Sequence, residues 1–240
     1  MAYPHRLWNW LVDLIFPYHC AVCEKFLDNS HLCERCFNSL PIKKELECIG
    51  CRRPTPLGQT CTFCREENAV DQLFIVSNLS DSSVDKIIKL LKYRFLADLA
   101  EPLARLAVKY LQHAAKRDQF SMVQGNPLLV AVPLHPRREN WRGFNQAWLI
   151  AEILARRYQL NTSSHLIRSQ FGTPQAELED RPERLVNVRG LYAASSDVFR
   201  GRSVLLIDDV CTTGATLNEC ARVLKEAGAT HVAALAIARG

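Results

Sequence analysis

Eight of the ten cysteines of this 240-residue chain lie between positions 20 and 64, and all eight occur in Cys-x-x-Cys pairs. The pairs are Cys20/Cys23, Cys33/Cys36, Cys48/Cys51 and Cys61/Cys64. The pattern C-x2-C-x9-C-x2-C therefore occurs twice, and the second copy begins 28 residues after the first. Two thiolates from one tight turn can bind a metal ion, and a second turn completes a tetrahedral site of four sulfur atoms. The repeat predicts a small module with two structural zinc ions.

Iron–sulfur ligation and disulfide formation are two alternatives to zinc. Disulfides require an oxidising compartment, and the N-terminal stretch shows no small-residue cleavage site of a signal peptide. The two near-identical halves favour zinc over an iron–sulfur cluster. The four pairs can combine sequentially, or they can interleave so that the first pair joins the third. In so short a segment the metal ions would take the place of a hydrophobic core.

The composition changes near residue 68, where the cysteine-rich segment ends. We predict an N-terminal module over residues 1–68, which opens with a short helix over residues 5–16, and a second domain over residues 69–240. The module carries eight basic and eight acidic side chains, so it has no basic excess that would indicate nucleic-acid binding. No apolar run approaches the roughly 18 residues that a membrane-spanning helix needs. We therefore expect no membrane insertion, and the lack of a recognisable signal peptide favours a cytoplasmic location.

Short apolar segments alternate with amphipathic segments from residue 72 onward. The pattern predicts buried strands at 72–79, 128–132, 203–207 and 231–238, and helices at 84–91, 96–111, 145–158 and 216–227. This alternation predicts an α/β domain with a parallel sheet and flanking helices, preceded by the cysteine-rich module. In such sheets, ligands bind beyond the carboxyl ends of the strands.

The strand predicted at 203–207 is followed by the sequence Asp-Asp-Val-Cys-Thr-Thr-Gly-Ala-Thr. A turn rich in threonine and glycine at a helix N-terminus offers backbone N–H groups, hydroxyls and the helix dipole to a phosphate monoester. The predicted phosphate-binding residues are Thr212, Thr213, Gly214, Ala215 and Thr216. Because neighbouring strand residues point in opposite directions, Asp208 and Asp209 cannot simply clamp one metal ion together. They suit the hydroxyls of a ribose, with Mg²⁺ on the phosphates of the ligand.

Three arginines, Arg137, Arg138 and Arg142, lie within six residues after the strand predicted at 128–132. The segment is bounded by proline and glycine, and we predict that it is a loop. Guanidinium groups bind phosphates in a bidentate manner, so a pyrophosphate can dock here. The alternative is a solvated basic loop. Asn145 and Gln146 follow, and they either support this loop, contact the ligand or cap the next helix.

Several of these motifs have counterparts in known families. The segment 204–216 resembles the phosphoribosyl-pyrophosphate signature of type I phosphoribosyltransferases. The loop 133–138, the following segment 142–147, the sequence Leu-Lys-Tyr-Arg at 91–94 and the stretch 175–187 resemble the ComF/GntX family, bacterial competence-associated proteins with a cysteine-rich double ribbon at the front. The resemblance covers essentially the whole chain. It implies a zinc ribbon followed by a type I phosphoribosyltransferase domain and an association with natural transformation or the use of external DNA.

The enzyme interpretation implies displacement of pyrophosphate from carbon 1 of phosphoribosyl pyrophosphate, with Asp208 and Asp209 in the catalytic position. Three functions remain open. The chain is a phosphoribosyltransferase with an unidentified nitrogenous acceptor, a sensor of this ligand that assists DNA uptake, or a single-stranded-DNA-binding or helicase-partner protein. Trp141 and Phe144 are the nearest candidates for base stacking. Cys211 and Cys220 lie in an apolar context and are expected to be spectators.

The formal net charge of +5 by itself weakly favours an anionic partner. If eight thiols are deprotonated on two Zn²⁺ ions, the net charge falls to about +1. The remaining positive character is local, because residues 127–168 contain six basic and two acidic side chains. The sequence therefore predicts a nearly neutral protein with one anion-binding edge.

Overall fold

The computed structural model describes residues 18–118, 125–168, 188–194 and 196–240. The helix expected over residues 5–16 and the family-like stretch at 175–187 lie outside the described residues. Among the helices of the described ranges, none combines the length and the apolar character needed to cross a membrane.

The cysteine-rich part contains only short regular elements. They are strands β1 (Tyr18–His19) and β2 (Phe26–Leu27), which pair in an antiparallel manner, and helix α1 (Glu34–Ser39). Cys33 caps helix α1, because its side chain accepts a hydrogen bond from the backbone N–H of Cys36. A single 3-10 turn, Pro56–Gly58, lies in the second half of this part. Turns around the cysteines therefore define this region.

Strands and helices alternate beyond residue 70. The strands are β3 (Gln72–Asn78), β4 (Leu128–Ala131), β5 (Thr162–Ser163), β6 (Leu166–Arg168), β7 (Tyr192–Ala194), β8 (Ser203–Cys211) and β9 (His231–Arg239). The helices are α2 (Ser82–Tyr93), α3 (Ala100–Asp118), α4 (Pro136–Arg142), α5 (Gln146–Tyr158), α6 (Ser196–Phe199) and α7 (Ala215–Glu226). Most of these elements match the helices and strands that the periodicity predicts, and their ends shift by a few residues.

Five strands form one parallel sheet in the order β3-β9-β8-β4-β5. At its centre, Ile207 of β8 pairs with Leu235 of β9. A parallel sheet covered on both faces needs nearly continuous apolar strands, and residues 204–207 and 232–238 are buried throughout. Strands β6 and β7 form a separate antiparallel pair. The predicted α/β class, with a parallel sheet and flanking helices, is confirmed.

Strands β3, β4, β8 and β9 each contribute to two apolar cores on opposite faces of the sheet. Phe74 and Leu205 belong to the core that contains residues of α2, α3 and α5. Leu73 and Leu206 belong to the core that contains residues of α7. Ile49, from the cysteine-rich part, is also buried in this second core. The cysteine-rich part is therefore packed against the sheet domain.

Two segments at the carboxyl edge of the sheet differ from the sequence prediction. Strand β8 continues past Ile207, because Val210 and Cys211 pair with β9. The arginine-rich segment predicted as a loop forms helix α4 instead. Pro136 occupies its first turn, and Gly143 ends it with φ of +82°. Proline at the start and glycine just after the end is the usual asymmetry of a helix, so the signal was present in the sequence.

Candidate metal centres and phosphate-ligand site

The eight paired cysteines form two separate clusters of sulfur atoms. One contains Cys20, Cys23, Cys33 and Cys36, and the other contains Cys48, Cys51, Cys61 and Cys64. In each cluster the four sulfur atoms lie within 4.8 Å of one another. The pairs therefore combine sequentially and do not interleave.

The distances between these sulfur atoms match a tetrahedral zinc site. The Sγ atom of Cys33 lies 3.7 Å from that of Cys20 and 3.8 Å from that of Cys23, and 3.8 Å separates the Sγ atoms of Cys51 and Cys61. Zn–S bonds of about 2.3 Å in a tetrahedron place the sulfur atoms about 3.8 Å apart. A disulfide would need about 2.05 Å. The space suits one ion rather than a cluster of iron atoms. The cysteines thus fit two structural zinc ions.

Backbone N–H groups are directed at the sulfur atoms of both clusters. The N–H of Cys33 donates to Sγ of Cys20 at 3.5 Å, and the N–H of Cys61 donates to Sγ of Cys48 at 3.4 Å. Burial opposes ionisation of Cys20 and Cys48, but the backbone donors outweigh it and lower the pKa to about 6 and about 7, respectively. The thiolate is the form that binds metal, so these contacts favour metal binding.

The segment Thr212–Gly214 forms a tight turn, the phosphate turn, between β8 and α7. Gly214 has φ of +86° and is the N-cap residue of α7, where it offers no side-chain acceptor to the helix N–H groups. The hydroxyl of Thr213 accepts a hydrogen bond from the N–H of Ala215 at 3.3 Å. Thr216 is half-buried in the first helical turn. This N-terminus can bind an anion through N–H groups and the helix dipole.

Asp208 and Asp209 lie side by side near the end of β8, where neighbouring residues point to opposite faces of the sheet. The buried Asp209 accepts a hydrogen bond from Nε2 of Gln146 at 2.8 Å and pairs with Nζ of Lys92 at 3.0 Å. Asp208 accepts a hydrogen bond from the backbone N–H of Asp209 at 2.8 Å. Burial and the charge of Asp209 raise the pKa of Asp208 well above its usual range. The two carboxylates are therefore oriented independently and do not form a preformed metal cage.

Asn145 and Gln146 have different contacts at the start of α5. Asn145 caps the helix, because its Oδ1 accepts a hydrogen bond from the N–H of Ala147 at 3.0 Å, while its Nδ2 donates to the carbonyl of Val132 at 3.0 Å. Gln146 instead orients Asp209 through its Nε2. Its Oε1 is buried without a hydrogen-bond partner in the described ranges. Asn145 thus supports the segment after β4, and Gln146 fixes a carboxylate.

Two of the three arginines on α4 face the carboxylates. Arg138 and Arg142 line the same cavity as Asp209, whereas Arg137 is exposed and lies outside it. Residues 138 and 142 are four positions apart and share one face of a helix, while residue 137 points elsewhere. The Nε atom of Arg142 is buried and has no hydrogen-bond partner among the described residues. Burial lowers the pKa of Arg142, although the charge of Asp209 opposes this. The helix therefore separates arginines that a loop could have brought together.

The cavity lies at the carboxyl edge of the sheet and has a volume of about 560 Å³. The residues predicted from the sequence that line it are Asp208, Asp209, Thr212, Arg138, Arg142, Asn145 and Gln146. Lys92, from the last turn of α2, also lines it. Sequence reasoning assigned Lys92 no role of its own, because a lysine in the last turn of an amphipathic helix is usually solvated.

Exposed aromatic side chains surround the mouth of this cavity. Tyr93 and Trp141 line it, and Phe95 contacts Trp141 edge-on with ring centroids 5.1 Å apart. Phe144, the other aromatic candidate from the sequence, is partly buried and packs against the core. Exposed rings next to arginines provide a surface on which a planar base can stack.

The two unpaired cysteines do not take part in this site. Cys211 and Cys220 are both buried, as their apolar context predicts. Burial raises the pKa of Cys211 to about 11, and it raises that of Cys220 well above the usual range. Both thiols are therefore poor nucleophiles.

Two protein-family models match the chain. The double zinc ribbon domain matches residues 11–67, and the phosphoribosyl transferase domain matches residues 149–240. The first segment contains both cysteine clusters, and the second contains the carboxylates and the phosphate turn. The fold and the sites thus define a class of protein in which a phosphoribosyltransferase-type α/β domain is joined to a double zinc ribbon.

Curated relatives match most of the chain. Competence protein ComFC of Bacillus subtilis is 30% identical over 93% of this chain and 91% of its own length. Competence protein F of Haemophilus influenzae is 27% identical over 86% of this chain and 96% of its own length. DNA utilization protein YhgH of Escherichia coli is 27% identical, over 91% and 96%. The chain therefore belongs to the ComF/GntX family, and the resemblance drawn from the sequence is confirmed.

Solved structures overlap with the chain only weakly. Glutamine phosphoribosylpyrophosphate amidotransferase from B. subtilis gives a TM-score of 0.34 at 22% identity and covers 49% of this chain and 23% of that chain. A hypoxanthine phosphoribosyltransferase from Staphylococcus aureus gives a TM-score of 0.32 at 15% identity. The match covers 57% of this chain and 62% of that chain. Overlaps this small do not bear on the ligand of this chain.

Proposed function

We propose that this protein binds phosphoribosyl pyrophosphate with Mg²⁺ and serves the uptake or use of external DNA. The observation that carries the first part is the end of β8, where two carboxylates lie a few residues before the N-terminus of α7, whose N-cap residue Gly214 has no capping side chain. The N-terminus suits a 5′-phosphate, and the carboxylates suit the neighbouring ribose hydroxyls. The second part rests on the relatives, whose names describe competence and DNA utilization.

Each end of the ligand has its own partners in this proposal. The 5′-phosphate is held by Thr212, Thr213, Gly214, Ala215 and Thr216. Asp208 and Asp209 accept hydrogen bonds from the ribose hydroxyls. The pyrophosphate is neutralised by Arg138 and Arg142 and by the nearby Lys92. We leave Arg137 out of the binding set because it is exposed and does not share the face of α4 on which Arg138 and Arg142 lie.

Mg²⁺ fits this site as a companion of the ligand. Asp209 is already engaged by Lys92 and Gln146, so the two carboxylates do not converge on one ion. Mg²⁺ usually keeps several waters and binds through substrate phosphates. When bound, it would neutralise charge on the pyrophosphate.

The same arrangement supports transfer of the phosphoribosyl group to a nitrogenous acceptor. In that reaction the bond from carbon 1 to the pyrophosphate oxygen breaks, with its electron pair leaving on the pyrophosphate. A bond from carbon 1 to the acceptor nitrogen forms, and the nitrogen loses its proton to solvent. The protein would contribute positioning by Asp208 and Asp209 and charge stabilisation by Arg138 and Arg142. We place this function in the cytoplasm, where cysteines remain reduced and available to zinc.

Calorimetric titration of the full-length, zinc-loaded protein with phosphoribosyl pyrophosphate and Mg²⁺ tests this function. We expect binding by the wild type and at least tenfold weaker binding by Asp209→Asn, because one acceptor of the ribose hydroxyls is lost. Glu152→Gln, on α5 and outside the cavity, serves as the control and should bind like the wild type. Absence of binding by the wild type, or equal affinities of Asp209→Asn and the control, would contradict the proposal.

Single-stranded DNA binding, with a helicase of the uptake machinery as partner, is a second candidate function. The exposed aromatic mouth favours it, because Tyr93 and Trp141 line the same cavity as Arg138 and Arg142, and Phe95 contacts Trp141. Aromatic rings that stack on bases, combined with cations that contact the backbone, are typical of proteins that bind single strands.

Fluorescence anisotropy with a labelled oligothymidine separates this second function from the first. DNA binding should weaken steeply as salt is raised. Trp141→Ala should weaken DNA binding by about 1–3 kcal/mol, the usual contribution of one stacked base. Phe63→Ala removes another exposed aromatic ring, from the second cysteine repeat, and is the control. Equal DNA affinities of these two variants would contradict binding at the aromatic mouth.

A further inference from the structure

The second cysteine cluster contacts the phosphate turn directly. Ile49 lies between Cys48 and Cys51 and is fully buried. A Cβ atom at position 214 would lie only 2.8 Å from Cγ1 of Ile49. Gly214 is therefore required both by its φ of +86° and by the close approach of this side chain. The metal-binding turn fills the space behind the phosphate turn.

Arg52, the residue after Cys51, ties the same turn by hydrogen bonds. Its Nη2 donates to the carbonyl oxygen of Thr212 at 3.0 Å and to that of Gly240 at 3.1 Å. Arg52 has φ of +62°, a left-handed conformation that is uncommon for a residue other than glycine. Its backbone N–H donates to the carbonyl of Cys48 at 3.1 Å, so the cysteine turn holds this conformation.

A buried ion pair anchors the ribbon next to these contacts. Nη1 of Arg239 lies 3.3 Å from Oε1 of Glu47 and 3.5 Å from Sγ of Cys211, and its Nη2 donates to the carbonyl of Ile49 at 3.3 Å. Both charged residues are buried, so their separation would leave an unpaired charge in the protein interior. The ribbon is therefore fixed to the ends of β8 and β9, where the ligand site begins.

The hydrogen bond from Arg52 fixes the orientation of one peptide unit in the phosphate turn. The carbonyl of Thr212 and the N–H of Thr213 belong to the same planar trans peptide, in which the two groups point in opposite directions. Because this carbonyl points to Arg52, the N–H of Thr213 points away from the ribbon. That N–H is one of the donors that an anion at the turn would use.

We propose that the second zinc ribbon is part of the phosphate site, with Ile49 and Arg52 as positioning residues for the turn Thr212–Gly214. The cysteine turn Cys48–Cys51, once it holds its metal, carries both residues to their places. The ligand class concerned is a phosphate monoester. The positioning of the turn stands independently of the ligand, whereas its effect on affinity rests on the proposed function.

Amide hydrogen exchange of the full-length, zinc-loaded protein without ligand tests the positioning. Arg52→Ala should speed the exchange of residues 212–216 at least fivefold, because the turn loses its tether. Glu24→Ala changes the equivalent position of the first repeat, which has φ of +61°, and should leave this exchange unchanged. Arg52→Lys should restore part of the protection, since an ammonium group can donate to the same carbonyl.

A milder variant covers the case in which Arg52→Ala loses metal. Ile49→Val removes one methyl group next to Gly214 and should speed the same amides by a smaller factor. Elemental analysis establishes that each variant holds two zinc ions. Unchanged exchange in both Arg52→Ala and Ile49→Val would overturn the proposal.

Binding of two small anions tests whether the positioning of the turn affects ligand affinity. Ribose 5-phosphate probes the phosphate turn, and inorganic pyrophosphate probes Arg138 and Arg142. Arg52→Ala should weaken ribose 5-phosphate at least fivefold and pyrophosphate less than twofold. Equal losses for both anions would show general damage and overturn the positioning role. Failure of the wild type to bind either anion would count against the proposed function, and the exchange experiment would still decide the positioning.

Discussion

The two cysteine repeats share one metal geometry but reach different parts of the molecule. Glu24 and Arg52 occupy equivalent positions, and both are left-handed, with φ of +61° and +62°. Glu24 pairs on the surface with Lys86 of α2 at 3.1 Å. Arg52 instead donates to the carbonyl of Thr212 in the phosphate turn. The same local structure therefore presents opposite charges to different neighbours.

The attachments of the two repeats also differ in burial. Glu34 of the first repeat makes two hydrogen bonds, of 2.7 and 3.0 Å, with Arg105 of α3 on the surface. Exposed ion pairs contribute little to stability, so this repeat depends mainly on apolar contacts. The second repeat is held by the buried pair of Glu47 and Arg239 and by Ile49. A repeated sequence thus predicts the metal geometry twice, while its surroundings decide whether a repeat contacts the candidate ligand site.

The largest contrast is expected between the matched substitutions Cys33→Ser and Cys61→Ser. Each should lower the zinc content from two ions to about one, because a thiolate ligand is lost. Cys61→Ser should also weaken phosphoribosyl pyrophosphate binding at least tenfold, since the phosphate turn loses its support, whereas Cys33→Ser should weaken it less than threefold. Elemental analysis and calorimetry measure the two effects. Similar affinity losses in both variants would erase the distinction between the repeats.

A smaller contrast is expected between the anchoring carboxylates. Glu47→Gln should lower the free energy of unfolding by about 3 kcal/mol, because it leaves the buried Arg239 without its charged partner and also breaks the pair with Lys43. Glu34→Gln, which breaks the exposed pair with Arg105, should lower it much less. Urea unfolding of the zinc-loaded proteins compares the two. Equal destabilisation would mean that both repeats are anchored in the same way.

A matched pair of glycines isolates the contact with Ile49. Gly214 and Gly143 have φ of +86° and +82°, so an added Cβ strains the backbone similarly in both. Only at 214 would it also meet Ile49, since nothing lies within 4 Å of a Cβ at 143. Gly214→Ala should therefore destabilise the protein by about 1–3 kcal/mol more than Gly143→Ala.

Denaturant unfolding measures this difference, and the double variant Ile49→Ala/Gly214→Ala is its control. If the contact is the cause, Gly214→Ala should cost less when residue 49 is already alanine. If Gly214→Ala destabilises the protein equally in both backgrounds, the effect comes from the backbone of the turn alone.

The smallest contrast between the repeats is expected in the pH dependence of ligand binding. Burial and the charge of Asp209 raise the pKa of Asp208 to about 8. Because the ionised form accepts the ribose hydroxyls, the affinity for phosphoribosyl pyrophosphate should rise about tenfold from pH 7 to pH 9. Arg52→Ala should lower the affinity at every pH but keep the midpoint, and Glu24→Ala should match the wild type. If the pH midpoint of binding moves in Arg52→Ala and in no other variant, the second ribbon also affects the ionisation of the carboxylates.

Much of the fold could be predicted because its signals are local. Apolar runs predicted the central strands, and Asn145 is a good helix cap that starts α5 where it was expected. The extension of β8 to Cys211 was not predictable in this way, because it depends on pairing with β9. Helix α4 was not predicted because it has only seven residues, and the Pro136 and Gly143 that bound it are also typical of loops.

The residues of the candidate site also differ in whether local sequence signals predict them. The phosphate turn and its carboxylates lie within seven consecutive residues, so one local motif predicts them together. Lys92 approaches Asp209 from more than 100 positions away, and Arg52 approaches Thr212 from 160 positions away. No periodicity or spacing links such residues, since only the packing of the ribbon and α2 on the sheet brings them together.

The most direct test is a calorimetric titration of the wild type, Arg52→Ala and Glu24→Ala with phosphoribosyl pyrophosphate and Mg²⁺. All three proteins should contain two zinc ions. If the second ribbon belongs to the ligand site, Arg52→Ala will bind at least fivefold more weakly than the wild type, and Glu24→Ala will bind within twofold of it. Equal affinities of the three proteins would contradict this claim.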